Sequence, residues 1–196
     1  MVTLKLKTPI DEQEIRKIRN GDILYISGTA ITARDEAHIR AIEYFEHGKK
    51  LPVDFAGLVV YHCGPLMRKK GEGWEVLAAG PTTSARMDSM EGEFIEKFKP
   101  RVIIGKGGMG KKTADAAKKF GAIYCDFTGG AAVLAAKAIE KIQGVEWLDL
   151  GMPEALWILK INEFGPLVTT IDSLGNNLHD DLTREIEGKK AQILGV

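Results

Sequence analysis

Short apolar runs alternate with longer amphipathic segments along most of the chain. The runs at residues 75–79 and 102–104 have the length of buried strands, and each is closely followed by glycine. After the first run, apolar side chains recur at the spacing of one face of a helix, at Met87, Met90, Phe94 and Phe98. Strands that alternate with helices predict an α/β domain with three layers and a mixed sheet.

Three local predictions add detail to this alternation. A charged turn would join residues 57–63 and 74–79 into a hairpin. The alanine-rich segment 131–142 predicts one helix that packs on the sheet. Residues 155–161 and 167–171 predict two antiparallel strands around a turn.

Glycine with Thr or Lys stands at several predicted strand-to-helix junctions, where α/β domains gather their sites. Arg34 and Arg86 are expected in first helical turns, and Lys106 in a glycine turn before another helix. A helix N-terminus already carries positive charge, so cations there are unfavourable unless an anion is near. The three cations therefore predict an anionic ligand, and the forked guanidinium suits a small dicarboxylate. The hydroxyls of Thr82 and Thr83 would stand beside it.

Each of these features also has a simpler interpretation. A basic side chain can pair with a neighbouring acid such as Asp35 or Asp88, and the two threonines can merely cap a helix. The glycine loop at residues 105–113 is one position away from a phosphate-binding P-loop, with Lys112 where the magnesium-binding hydroxyl should be. A P-loop-like nucleotide-binding module therefore stays an alternative.

Composition narrows the class of protein. Basic and acidic residues balance at 27 each, which argues against nucleic acid or an anionic membrane as partner. The chain has no apolar run near the length of a membrane span and no apolar signal core at its start, so we expect a cytoplasmic protein. Cys63 and Cys125 are too few for a cubane cluster and are expected to be buried thiols. The four histidines are scattered, with His38 and His47 on different helix faces and His62 isolated, so they predict no metal site.

Five motifs together resemble the β-subunit, or C-terminal domain, of class I iron–sulfur fumarases and L(+)-tartrate dehydratases. They are GTAITARDEAH, YHCGP, AAGPTTSARMD, IGKGGM and GMPEALW, and they occur in matching order over about residues 22–178. The resemblance implies a single swivelling β/β/α catalytic domain at residues 1–178, followed by a C-terminal arm at 179–196. It implies reversible hydration of fumarate to (S)-malate, with dehydration of L(+)-tartrate to oxaloacetate as the closest alternative. A non-catalytic assembly subunit with the same fold is the third alternative.

The resemblance also implies roles for individual residues. Arg34, Arg86 and Lys106 match family residues that hold substrate carboxylates, with Thr83 beside them. Thr82 matches the threonine proposed as the base that removes the C3 proton. The [4Fe-4S] cluster would be carried by a separate α-subunit, so this chain alone is expected to bind no cofactor or metal. The expected assembly is a heterotetramer built on a homodimer of β-subunits.

Overall fold

The computed structural model describes residues 1–194, and the predicted α/β class with a mixed sheet is confirmed. None of the helices among these residues combines the length and the apolar character needed to cross a membrane. The strands are β1 (Thr3–Lys7), β2 (Ile23–Thr32), β3 (Val59–Tyr61), β4 (Leu66–Lys70), β5 (Gly73–Ala78), β6 (Val102–Gly105), β7 (Ile123–Asp126), β8 (Ile139–Glu146) and β9 (Leu156–Ile171). The helices are α1 (Glu12–Ile15), α2 (Asp35–Glu46), α3 (Asp88–Phe98), α4 (Lys111–Phe120), α5 (Ala132–Lys137) and α6 (Leu178–Leu194).

Seven of these strands form one mixed sheet in the order β1-β2-β3-β6-β7-β9-β8. Neighbours from β1 to β7 are parallel, whereas β9 runs antiparallel to β2, β7 and β8. Because β9 pairs with β7 along one edge and with β2 along the other, the strands β2, β3, β6, β7 and β9 close into a ring. The strands β4 and β5 form a separate antiparallel pair.

Successive side chains on a strand point to opposite faces, and the ring therefore builds two cores. On β3, Val59 and Tyr61 belong to the core enclosed by the strands, whereas Val60 between them belongs to the core under the helices. That second core also takes Phe94 from α3 and Ala117 from α4. The helical layer is thereby fixed against the outer face of the parallel strands.

The predicted hairpin between residues 57–63 and 74–79 is wrong. Strand β3 lies inside the main sheet between β2 and β6, and β5 pairs with β4 instead. The charged segment that suggested a turn forms most of β4, because its side chains point to solvent and pair across the strands. Arg68 Nη2 and Lys70 Nζ lie 2.6 and 3.2 Å from the carboxylate oxygens of Glu75.

Two further predictions of where elements begin and end are wrong. The helix predicted over residues 131–142 ends at Lys137, and Ile139 begins β8, an edge strand that pairs only with β9 in the described residues. The two strands predicted around residues 162–165 are one strand, β9. Glu163 adopts a left-handed conformation with φ of 45°, and the pairing with β2 shifts register nearby, so the strand bends instead of turning back.

The glycine loop between β6 and α4 is held by carboxylates from neighbouring elements. Asp88 Oδ1 accepts hydrogen bonds from the amides of Gly110 and Thr113, at 2.8 and 3.3 Å, and from the Thr113 hydroxyl at 2.7 Å. The Gly108 amide donates to Asp126 at 3.3 Å. These three amides are already occupied, which leaves the loop fewer free donors for a phosphate. This geometry disfavours the nucleotide-binding alternative.

The C-terminal segment is more regular than predicted. The short helix expected at residues 181–187 is part of the longer α6, which is largely exposed. Residues 195 and 196 of the predicted arm lie outside the described residues. The division of the chain after residue 178 stays a prediction.

Replacing Asp88 with alanine should lower the free energy of unfolding by about 1–3 kcal/mol, because partly buried donors at the start of α4 lose their acceptor. Chemical denaturation measures the change. Ser89→Ala, at an exposed position of the same helix, is the matched control and should change it by less than about 0.5 kcal/mol. Equal stability of the two variants would contradict the capping of α4 by α3.

Candidate functional site

Three parallel strands end side by side at one edge of the sheet, and each is followed by a polar or charged residue. Arg34 follows β2, His62 follows β3 and Lys106 follows β6. The His62 amide donates to the carbonyl of Ile104 on β6 at 2.8 Å, which continues the pairing beyond β3. The carboxyl ends of neighbouring parallel strands are where α/β proteins usually place their sites.

The segment that carries the two threonines is fixed between the ends of β3 and β6. The Thr82 amide donates to the His62 carbonyl at 2.8 Å, and the Ser84 amide donates to the Lys106 carbonyl at 3.0 Å. In return, the Lys106 amide donates to Ser84 Oγ at 3.2 Å. Thr82 is half-buried and Thr83 is exposed. No side-chain hydrogen bond from this segment caps the turn or helix that follows, so the capping interpretation is wrong.

Both arginines form ion pairs, and the two pairs share one carboxylate. Arg86 Nη2 lies 3.0 Å from Asp35 Oδ2 and 3.4 Å from Thr82 Oγ1. Arg34 Nη2 lies 3.9 Å from the same Asp35 oxygen, and its Nε lies 3.2 Å from Glu154 Oε1. Asp35 therefore brings two guanidinium groups together, and Arg86 adds the Thr82 hydroxyl to the same patch.

The sequence predicts both arginines in the first turn of an α-helix, and this prediction is wrong. Arg34 precedes α2 in extended backbone with φ of −123°, and Arg86 lies in a 3-10 turn, Ala85–Met87. The residue in the first turn of α2 is Asp35, whose negative charge suits that helix terminus. The unfavourable charge that suggested a ligand is thus compensated by Asp35 in the folded chain.

Lys106 differs from the arginines in having no carboxylate oxygen within 4.0 Å of its ammonium group in residues 1–194. Its side chain runs along Gly129, where an added Cβ would come 3.1 Å from Lys106 Cδ. The absence of a side chain at Gly129 therefore leaves room for the lysine. An incoming anion can therefore bind the Lys106 ammonium group without displacing a carboxylate of the described residues.

Beneath this edge lies a cluster that the sequence did not reveal. His38 Nε2 and His62 Nε2 lie 3.2 and 3.0 Å from the same Oε2 atom of Glu91, and all three side chains are 0% exposed. His38 Nδ1 donates to the Arg34 carbonyl at 2.8 Å, and His62 Nδ1 lies 2.9 Å from Ser84 Oγ. Burial alone would raise the pKa of Glu91, but the two imidazoles outweigh it and lower the pKa to about 2.

The prediction that His62 is isolated is therefore wrong, and Glu91 was overlooked. The three residues come from α2, the end of β3 and α3, so no spacing along the chain relates them. One signal was present. Glu91 lies four residues after Met87 and three before Phe94, on the apolar face of α3, where a charge requires a partner.

The two cysteines are confirmed as buried free thiols. Burial raises the pKa of both Cys63 and Cys125 to about 12, which keeps them protonated and unreactive. They are the only cysteines of the chain, so these residues do not fit the thiolate set that a cubane cluster needs.

A family model described as Fumarase C-terminus matches residues 1–182. The chain belongs to this family. The β-subunit of L(+)-tartrate dehydratase from Escherichia coli (strain K12) is 47% identical over 173 residues, which cover 88% of this chain and 85% of the relative. A putative L(+)-tartrate dehydratase β-subunit from Methanocaldococcus jannaschii is 39% identical over 188 residues, 95% of this chain and 96% of the relative. A putative class I fumarate hydratase from Geobacillus stearothermophilus is 43% identical over 190 residues, 96% of this chain but 36% of the relative.

These comparisons confirm the family recognised from the five motifs, and they identify the chain as the β-subunit type of a class I hydro-lyase. In this fumarase C-terminus chain, the sheet edge offers two guanidinium groups, one ammonium group and two threonine hydroxyls. Such a set can hold carboxylates and place a hydroxyl beside them.

Proposed function

We propose that this chain supplies the dicarboxylate-binding half of a two-subunit hydro-lyase. The observation that carries the proposal is the patch in which Arg34 and Arg86 share the Asp35 carboxylate and Arg86 also contacts Thr82. Two guanidinium groups that already hold a carboxylate of the chain can hold one of the substrate in its place. Lys106, at the next strand end, is available for the second carboxylate.

The expected reaction removes water from a 2-hydroxy dicarboxylate. A proton leaves C3, and negative charge develops on the carboxylate bonded to that carbon. The cations that hold this carboxylate would stabilise the transition state more than the bound substrate. The departing C2 hydroxyl needs a Lewis acid, which a [4Fe-4S] cluster on the partner subunit would supply.

Thr82 is the residue proposed to take the C3 proton. A free hydroxyl is a weak base, so it requires activation by its surroundings. Arg86 Nη2, 3.4 Å from Thr82 Oγ1, favours the deprotonated oxygen electrostatically. The backbone hydrogen bond of Thr82 to His62 holds the hydroxyl at a fixed corner. Thr83, one residue on and exposed, is proposed to contact the substrate.

Several observations support a partner subunit. The E. coli and M. jannaschii relatives are both named as β-subunits. The relative from G. stearothermophilus, named a putative class I fumarate hydratase, is matched over only 36% of its length, so most of that protein lies outside the part that resembles this chain. We propose that the swivelling movement expected of this domain brings its edge against the cluster-bearing subunit, in a cytoplasmic heterotetramer.

The names of the relatives slightly favour L(+)-tartrate as the substrate over the pair of fumarate and (S)-malate. The test is co-expression with the cognate α-subunit, anaerobic purification, and assay on L(+)-tartrate, D(−)-tartrate, (S)-malate and fumarate. We expect turnover of L(+)-tartrate or of the fumarate–malate pair only when both subunits are present. A complex with an intact cluster that turns over none of the four would contradict the proposal.

Replacing the cations one at a time tests the carboxylate site. Arg34→Met, Arg86→Met and Lys106→Met should each remove a charge-assisted contact of about 1.5–3 kcal/mol and lower kcat/KM about ten- to hundred-fold. Lys111→Met is the control, because that side chain is 82% exposed and pairs locally with Asp115. Near-normal kcat/KM for all three site variants in the complex would exclude the site. A larger loss in the Lys111 variant would favour the P-loop interpretation.

Thr82→Val keeps the shape of the side chain and removes its hydroxyl. Turnover should fall by about two to four orders of magnitude, the usual contribution of a positioned acid–base group. Exchange of the C3 proton of the substrate with deuterated solvent should fall in parallel, while assembly with the partner is retained. Thr83→Val is the comparison that tests which of the two threonines is the base. If only the Thr83 variant loses exchange, the base is misassigned by one residue, and if neither loses it, no threonine here is the base.

A further inference from the structure

The buried cluster of His38, His62 and Glu91 has no task in the proposed reaction. Its ligand-type atoms all lie within 4.8 Å of one another. Yet four polar atoms in it, both Nε2 atoms and both carboxylate oxygens, lack a well-directed hydrogen-bond partner. Unpaired polar atoms are costly in a protein core. A positive species between the two imidazoles and the carboxylate would satisfy all four.

The separations of the two imidazoles from Glu91 fit a divalent metal ion. Bonds of about 2.0–2.2 Å to nitrogen and oxygen place neighbouring ligand atoms about 2.8–3.6 Å apart, from right-angled to tetrahedral coordination. The Nε2 atoms of His38 and His62 lie 3.2 and 3.0 Å from Glu91 Oε2. Glu91 Oε1 is also unpaired, so the carboxylate can bind through both oxygens and complete four donors.

The Nδ1 atoms of the two histidines, which point away from Glu91, each have an oxygen partner, as the second nitrogen of a metal-binding histidine usually does. His38 Nδ1 faces the Arg34 carbonyl, which can only accept, so this nitrogen carries a proton and can leave Nε2 free as a ligand. His62 Nδ1 faces Ser84 Oγ and can donate to it in the same way.

We propose that His38, His62 and Glu91 bind one divalent ion of the zinc class, as a structural site under the substrate edge. The ligand set of two histidines and one carboxylate suits zinc. Complete burial leaves no position open to a substrate, which assigns the ion to structure and not to chemistry. The site depends on none of the roles proposed above for Thr82 or the three cations.

Such an ion would stiffen the edge through contacts already present. His38 holds the carbonyl of Arg34, and the His62 carbonyl holds the amide of Thr82. His62 also contacts Ser84 Oγ, which accepts from the amide of Lys106. One central ion would therefore fix all three strand ends relative to one another.

The test uses the full chain without a partner or substrate. Zinc is measured by mass spectrometry after purification, then removed with a chelator and restored, with the thermal midpoint followed throughout. We expect about one zinc per chain. Removal of the zinc should lower the thermal midpoint by at least about 5 °C, and added Zn²⁺ should restore it. Co²⁺ in place of zinc should give visible d–d absorption.

Two variants locate the ion. Glu91→Gln should weaken zinc binding at least about tenfold, since it removes the charged ligand. His47→Gln is the control and should bind zinc normally. Like His38, His47 contacts a carbonyl one helix turn back through Nδ1, at 2.7 Å to Glu43, but it is exposed and lies outside the cluster. If Glu91→Gln does not fold, zinc titration of the chelated wild-type chain still decides the matter.

A folded wild-type chain that holds no zinc and does not respond to Zn²⁺ or Co²⁺ would overturn the proposal and leave a proton-bridged ion pair. Equal loss of zinc in the His47 and Glu91 variants would overturn it as well, as adventitious surface binding. None of these results depends on hydro-lyase activity. Failure of the metal site and failure of the proposed function are therefore separate outcomes.

Discussion

The hydrogen bonds that hold the threonine segment between the ends of β3 and β6 determine the geometry of the whole candidate site. The Thr82 amide binds the His62 carbonyl, and Ser84 and Lys106 bind each other through reciprocal contacts. A loop after a glycine–proline pair would otherwise have many conformations, and ordering it costs entropy. The parallel pairing of β2 with β3 then places Arg34 beside the same segment. The site is thus an extension of the sheet and not a group of mobile loops.

The charges at this edge are balanced without a ligand, mainly by Asp35. Its carboxylate contacts both arginines, and Arg86 outweighs the effect of burial to lower the pKa of Asp35. The Arg86 side chain is 49% exposed, and ion pairs of such exposure contribute only about 0–1 kcal/mol. Exchange of Asp35 for a substrate carboxylate would therefore cost little. Pairing with a neighbouring acid and a role in substrate binding are compatible for these arginines.

Local patterns predicted the elements whose signals are local. The motifs, the α/β class and the residues at the strand ends were all accessible from the sequence, because each depends on neighbouring positions. Strand β9 was divided in two because the bend at Glu163 looks like a turn until its partner β2 is known. The first residues of β8, 139–142, fall inside the predicted helix because the alanine-rich segment before them is helical in composition. The pairing of Glu91 with His38 and His62 joins three elements, so only the fold could show it.

The central claim is that the edge bearing Thr82 and the three cations receives a dicarboxylate. The most direct measurement is a structure of the assembled two-subunit complex with L(+)-tartrate or (S)-malate bound. We expect substrate carboxylates within hydrogen-bonding distance of Arg34, Arg86 and Lys106, with Thr82 Oγ1 facing C3. A substrate bound productively at the iron–sulfur cluster of the partner subunit, with none of these four side chains in contact with it, would contradict this proposal.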